Sequence, residues 1–210
     1  MTAARIAEEM DVDLVIAASR GLTGIKRVLL GQVIERLTRT VPRPLLIVRE
    51  SSKVSIDNIH AQQLSLKRIL AGCSLEQDCV PVLRHAADLT RDWDAVLNVV
   101  HAMESPFDEQ AEEAVEGPYG DVQRDLEARL RDRLISFAPS DASGSVRLNA
   151  AVLPGLPGEV LLSWCRRTPT DLVVVGVRHH SRLEKVILGS TTESMLRHAP
   201  CPVLTVPVNV

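Results

Sequence analysis

Short apolar runs bounded by Asp, Gly or Pro alternate with amphipathic stretches along most of this chain. Runs of Val, Ile and Leu without polar interruption suit strands buried on both faces of a parallel sheet. The pattern predicts the end of a helix over 4–10, a strand over Asp13–Ala18, a helix over Gly31–Thr40 and a strand over Pro42–Val48. Prolines at that strand's entrance sit where no ladder donor is needed. Residues 51–65 are polar and aperiodic, which predicts a linker.

A longer series follows. Strands are predicted over Leu66–Gly72, Ala95–Val100, Val146–Val152, Asp171–Gly176 and Pro202–Val206. Between them lie amphipathic segments over Leu75–Arg91, Asp121–Phe137, Pro157–Arg166 and Gly189–His198. Five strands alternating with four helices predict an α/β fold: a five-stranded parallel sheet with right-handed crossovers and helices on both faces.

The two halves of the pattern are related. Residues 13–48 align without gaps on 171–206, and 13 of the 36 positions are identical. The identities include Asp13/Asp171, Arg20/Arg178, Gly31/Gly189, Glu35/Glu193, Pro42/Pro200 and Pro44/Pro202. A gapless register that keeps two prolines, a glycine and an acid is the mark of duplication. The expected organisation is a partial copy over 1–50, a linker over 51–65 and a complete unit over 66–210. The copy at the start carries only the last third of such a unit.

Composition narrows the chemistry. Only five residues are aromatic, so the core rests on Val, Leu, Ile and Ala, and stacking platforms for single-stranded nucleic acid are disfavoured. A net charge of −3, with Lys and Arg spread along the chain, leaves no basic footprint for nucleic acid. No apolar run reaches bilayer length, and the N-terminus does not read as a secretory signal, so no membrane role and a cytoplasmic setting are expected. Cys73, Cys79, Cys165 and Cys201 form no C-x-x-C pair and no zinc-type spacing, which predicts reduced buried thiols and no metal. No G-x4-G-K-[ST], G-x-S-x-G or H-E-x-x-H is present, and no base, nucleophile and orienting group converge, so a non-enzyme is expected. The acidic run around Glu104–Glu113 reads as a solvated loop, with an interaction tail as the alternative.

The candidate site lies in the second copy. Gly189-Ser190-Thr191 opens a helix, where free N–H groups and hydroxyls suit an anion; simple capping by Ser190 is the alternative. At these residues the chain resembles the universal stress protein family in its tandem two-domain form. The family pattern G-x2-G-x9-G-[ST] falls on Gly176, His179, Gly189 and Ser190, and the closing A-P-C-P-V-L-x-V falls on Ala199–Val206. The resemblance implies ATP or another adenine nucleotide at the carboxyl ends of the first and fourth strands of the unit. It implies that backbone around Val99 meets the adenine ring.

Two departures weaken that expectation. Ser74 stands where nucleotide-binding members carry Asp. A lost charge-assisted bond is worth about 1.5–3 kcal/mol, roughly ten- to hundredfold in affinity. His179 replaces a glycine of the phosphate loop and adds bulk, though it also offers a donor, strongest when protonated. In the first copy Ala18 and Gln32 replace a glycine and a hydroxyl, so no ligand is expected there. The expectation is a regulatory stress-response module with weak or absent nucleotide binding. The alternatives are an ATP sensor with at most slow hydrolysis and an anion-responsive module. The resemblance also implies antiparallel pairing of the final strands, Leu45–Val48 with Val203–Val206, within one chain or between two. Self-association as a dimer or larger, and a regulatory protein partner, are expected with it.

Overall fold

A computed structural model describes residues 3–19, 31–49, 66–103, 118–137, 147–179 and 188–209. The described chain begins with α1 (Ala3–Glu9), β1 (Val15–Ser19), α2 (Gln32–Thr40) and β2 (Leu45–Arg49). It continues with β3 (Arg68–Gly72), α3 (Cys79–Asp92), β4 (Val96–Met103), α4 (Pro118–Phe137) and β5 (Arg147–Pro154). It ends with α5 (Pro157–Arg167), β6 (Leu172–His179), α6 (Ser190–His198) and β7 (Val203–Asn209). The proposed linker and the acidic run over 104–117 lie outside the described residues.

The strands form one seven-stranded sheet in the order β1-β2-β7-β6-β3-β4-β5. The five strands of the second copy are all parallel, as the sequence predicts. β1 and β2 add to the same sheet as a parallel pair, joined through β2 to β7 in antiparallel sense. The pairing of final strands therefore forms inside one chain, and each of the two is flanked by a strand on both sides.

The β2–β7 register carries the symmetry of the duplication. Leu46 faces Leu204, its own counterpart in the repeat, while Leu45 faces Thr205 and Ile47 faces Val203. The two copies are thus related by a pseudo-twofold axis through the Leu46–Leu204 pair. Thr205 seals the junction: its buried hydroxyl donates to the Leu45 carbonyl at 3.3 Å.

Strand alternation sorts side chains to two faces. Leu70, Val173, Val175 and Val203 pack with α5 and α6 through Leu161, Met195 and Leu196. Ile34 of α2 and Leu45 and Ile47 of β2 belong to that same cluster. Ile69, Ala71, Val174 and Leu204 face the other way, onto Val82, Leu83 and Ala86 of α3. A side chain also locks the start of two central strands. Asp171, just before β6, accepts the Lys67 and Arg68 N–H groups at 2.9 and 2.8 Å and so aligns β6 with β3.

The start of the helix after β3 differs from the sequence reading. α3 starts at Cys79 rather than Leu75, because Leu75 adopts a left-handed φ of 64° that no helix accommodates. Pro81, the third helical residue, fits the first turn, where its missing N–H has no intrahelical partner to lose.

If the N-terminal copy shares the main core, Ile47→Ala must destabilise the whole chain. Ile47 is 1% exposed. We predict a loss of about 2–5 kcal/mol on the single urea unfolding transition. Two separate transitions, with only the minor one shifted, would contradict a shared core.

Candidate functional site

In parallel sheets a crevice opens at the carboxyl ends of strands where the chain direction of successive crossovers reverses. Here that point lies between β3 and β6, since β4 continues on one side of β3 and β6 lies on the other. A cavity of about 620 Å³ occupies it. That volume is within the range of small-molecule sites.

Each wall comes from a different element. β3 and the loop after it supply Gly72, Cys73, Ser74 and Asp78. β4 supplies Val100, His101 and Ala102, and β6 supplies Gly176 and Arg178. The start of α6 supplies Gly189, Ser190, Thr191 and Thr192, and the start of α5 supplies Pro157. Ser74, Gly176, Gly189, Ser190 and Thr191 therefore line one space. Val99 does not line it: its side chain is buried in the cluster against α3, and the strand's lining begins at Val100. His179 ends β6, one residue after the lining residue Arg178; Arg182 and Lys185 lie outside the described residues.

At the α6 end of the cavity Gly189 is the N-cap with an ordinary φ of −59°, and among the described residues no side chain caps the helix. Ser190 is thus the first helical residue rather than the cap. A Cβ built on Gly189 would meet nothing within 4 Å. Glycine is not required there by the backbone conformation. What its missing side chain leaves is room for close approach to the first-turn N–H groups, which have no intrahelical acceptor. Thr192 is committed elsewhere, donating to the Gly176 carbonyl at 2.8 Å. Gly176 is a packing glycine: its Cβ would lie 3.2 Å from Val82 and 3.4 Å from Val208.

The opposite wall is occupied by its own network. The Ser74 hydroxyl donates to Asp78 Oδ1 at 2.7 Å. Arg178 donates through Nε to Asp78 Oδ2 at 2.7 Å and through Nη2 to Glu76 Oε2 at 2.6 Å. The bond to Asp78, reinforced by the Glu76 charge, raises the Arg178 pKa further above its already high ordinary value. His101 Nδ1 lies 2.9 Å from the Cys73 carbonyl, which can only accept. Nδ1 of the ring therefore carries a proton and donates it to that carbonyl.

Asp78 and His101 were not singled out in the sequence. Asp78 sits inside the stretch read as helix, and only the turn at Leu75 swings it to the cavity. Pro81 three residues later was the available signal, because it places a helix start, and so an N-cap residue, just upstream. Among the described residues no group of three or more His, Cys, Asp or Glu could hold a metal. Among them, too, no helix is long and apolar enough to cross a membrane.

This chain belongs to the universal stress protein family, a family of stress-response proteins: the family's profile matches residues 1–49 and 65–207. A universal stress protein of Synechocystis is 24% identical over 196 residues, 93% of this chain and 58% of the relative. Universal stress protein A homolog 1 of Coxiella burnetii is 30% identical over 142 residues, 67% of this chain and 95% of the relative. Among solved structures, a putative universal stress protein from Pseudomonas aeruginosa superposes with a TM-score of 0.69 at 18% identity, covering 98% of this chain and 66% of that one. One from Archaeoglobus fulgidus gives 0.62 at 18% identity, covering 98% and 63%. These likenesses establish the Rossmann-like fold. The chain spans under two thirds of the Synechocystis relative and of both structures.

Proposed function

We propose that this chain is a regulatory stress-response module that works through protein contacts and holds adenine nucleotides weakly or not at all. The observation that carries this reading is the Ser74–Asp78–Arg178–Glu76 network. The hydroxyl at the position of the family's aspartate is spent on an internal carboxylate. The guanidinium nearest the loop after β6 is spent on two. Two carboxylates against one guanidinium leave that wall net negative, which opposes a polyphosphate. We infer an organisation of a partial unit over 1–50 joined through 51–65 to a complete unit over 66–210.

A second reading has one observation in its favour. The open cap at Gly189 beside Ser190 and Thr191 suits an anion, so the cavity also fits an ATP sensor with at most slow hydrolysis over 176–191. Calorimetric titration with ATP and Mg²⁺ separates the two. The regulatory reading predicts no saturation in the low-micromolar range. Asp78→Ala removes one carboxylate, frees Ser74 and leaves Arg178 held by Glu76 alone, and should tighten ATP binding by about tenfold. Low-micromolar binding by the unaltered chain would overturn the reading. An unchanged affinity in the variant would show that the network does not set it.

Self-association follows from the sheet edge. β1 is an outer strand, and Ile16 on it is 65% exposed, with Val33 of α2 70% exposed. An apolar strand edge of this kind is a surface that a second copy can cover. Sedimentation velocity should show a dimer or larger species whose population grows with concentration. A monomer at every concentration would contradict it.

A further inference from the structure

A second cavity, of about 690 Å³, shares no lining residue with the crevice between β3 and β6. It straddles the pseudo-twofold axis. Its lining holds both members of the repeat pairs Leu14/Leu172, Pro44/Pro202 and Leu46/Leu204. Leu172 and Leu204 belong to the cluster under α3, so the groove lies on the α3 face of the sheet.

The two sides of this groove are unequal. On the side of the second copy stands α3, with His85, Leu89 and Trp93 in the wall. On the side of the first copy, no helix among the described residues takes the matching place. α1 and α2 are the counterparts of α5 and α6 in the repeat, and Ile34 of α2 packs with α5 and α6 on the opposite face. Exposure records the difference. Ile16 of β1 is 65% exposed, whereas its counterpart Val174, packed with α3, is fully buried. Leu14 is 41% exposed, against 6% for Leu172.

We propose that this groove docks an amphipathic helix of a partner protein, laid antiparallel to α3 across β1 and β2 and carrying a basic flank. The proposal rests on the reading of the chain as a module that works through protein contacts, and it names the kind of partner.

The symmetry of the sheet gives the shape and direction of the occupant. A twofold through an antiparallel strand pair stands perpendicular to the sheet. It carries α3, which covers β6 and β7, onto the same face over β1 and β2, with its direction reversed. An aliphatic stripe at i, i+3, i+4 and i+7 would cover Ile16 and Leu14 as α3 covers their counterparts. The helix lies on the face of β1 and leaves the outer edge of that strand to a second copy.

Charge gives the flank. Asp13, Asp88, Asp92 and Asp171 line the groove, and among the described residues no Lys or Arg does. Asp171 is held by the Lys67 and Arg68 N–H groups, and Asp88 pairs with Arg91 at 3.0 Å. Asp13 and Asp92 are exposed and add negative charge at the rim. Complementarity therefore calls for Lys or Arg beside the apolar stripe of the partner. The indole of Trp93, in the same wall, accepts either an aliphatic or a cationic side chain.

The test uses the full chain, calorimetry and a synthetic helical peptide with Leu at i, i+3, i+4 and i+7 and Lys elsewhere. A control peptide has Glu in place of every Lys. The lysine peptide should bind saturably in the micromolar range, about tenfold tighter than the control. Ile16→Glu changes an exposed side chain and should weaken binding about tenfold. That substitution adds a negative charge, so a merely ionic association would tighten instead. Asp92→Asn, at the exposed end of α3, should weaken binding as well. Tryptophan emission should shift to the blue on binding, and Trp93→Phe should abolish the shift.

No saturation, equal affinities for the two peptides or an unchanged affinity in Ile16→Glu would overturn the proposal. A blue shift that survives in Trp93→Phe would place the peptide elsewhere and overturn it too. So would a dimer, seen by sedimentation velocity, that excludes the peptide, since the groove would then belong to a second copy. None of these outcomes moves the ATP titration on which the regulatory reading stands.

Discussion

The antiparallel contact between β2 and β7 is the constraint on which the rest of this structure depends. It turns two unequal pieces of chain into one sheet and places β7 in its interior. That leaves Val203, Leu204 and Val206 almost fully buried. Its register is self-symmetric, with Leu46 against Leu204, because the two strands descend from one sequence. A strand paired antiparallel with its own copy meets an equivalent residue at one point, and every other pair is reciprocal about that point. The sense of pairing also sets directions: the carboxyl ends of β1 and β2 point opposite to those of β3 to β7. Only the second copy therefore contributes its strand ends and its helix start to the described cavity.

Within that frame the cavity is a contest between two walls. The start of α6 offers unpaired N–H groups beside a glycine with open space around it. The β3–α3 loop offers a hydroxyl and two carboxylates, which together with the Arg178 guanidinium of β6 already satisfy one another. An exposed ion pair contributes little to stability. Arg178 and Glu76 are both largely exposed, so the stability gained at that wall is small. Its larger effect is on binding, since a ligand must displace internal partners rather than water.

Much of the fold was legible in the sequence. Apolar runs between Asp and Gly placed every described strand to within a few residues. The family resemblance foretold which two strands would pair. The organisation of the site was less legible, for physical reasons. Gly176 and Gly189 were found because a motif fixes their spacing, and Ser74 because the resemblance places it at the end of the unit's first strand. Asp78 depends on one left-handed residue, Leu75, and no pattern of hydrophobicity encodes that φ.

The claim that most of this rests on is that β2 is an integral strand of the sheet through β7. Native-state amide hydrogen exchange tests it directly. The account predicts that the amides of the β2–β7 ladder, over 45–47 and 203–205, are protected alike and exchange only by global unfolding. Rapid exchange across 45–47 with 203–205 still protected would mean that the N-terminal copy is a loosely held appendage, and would contradict it.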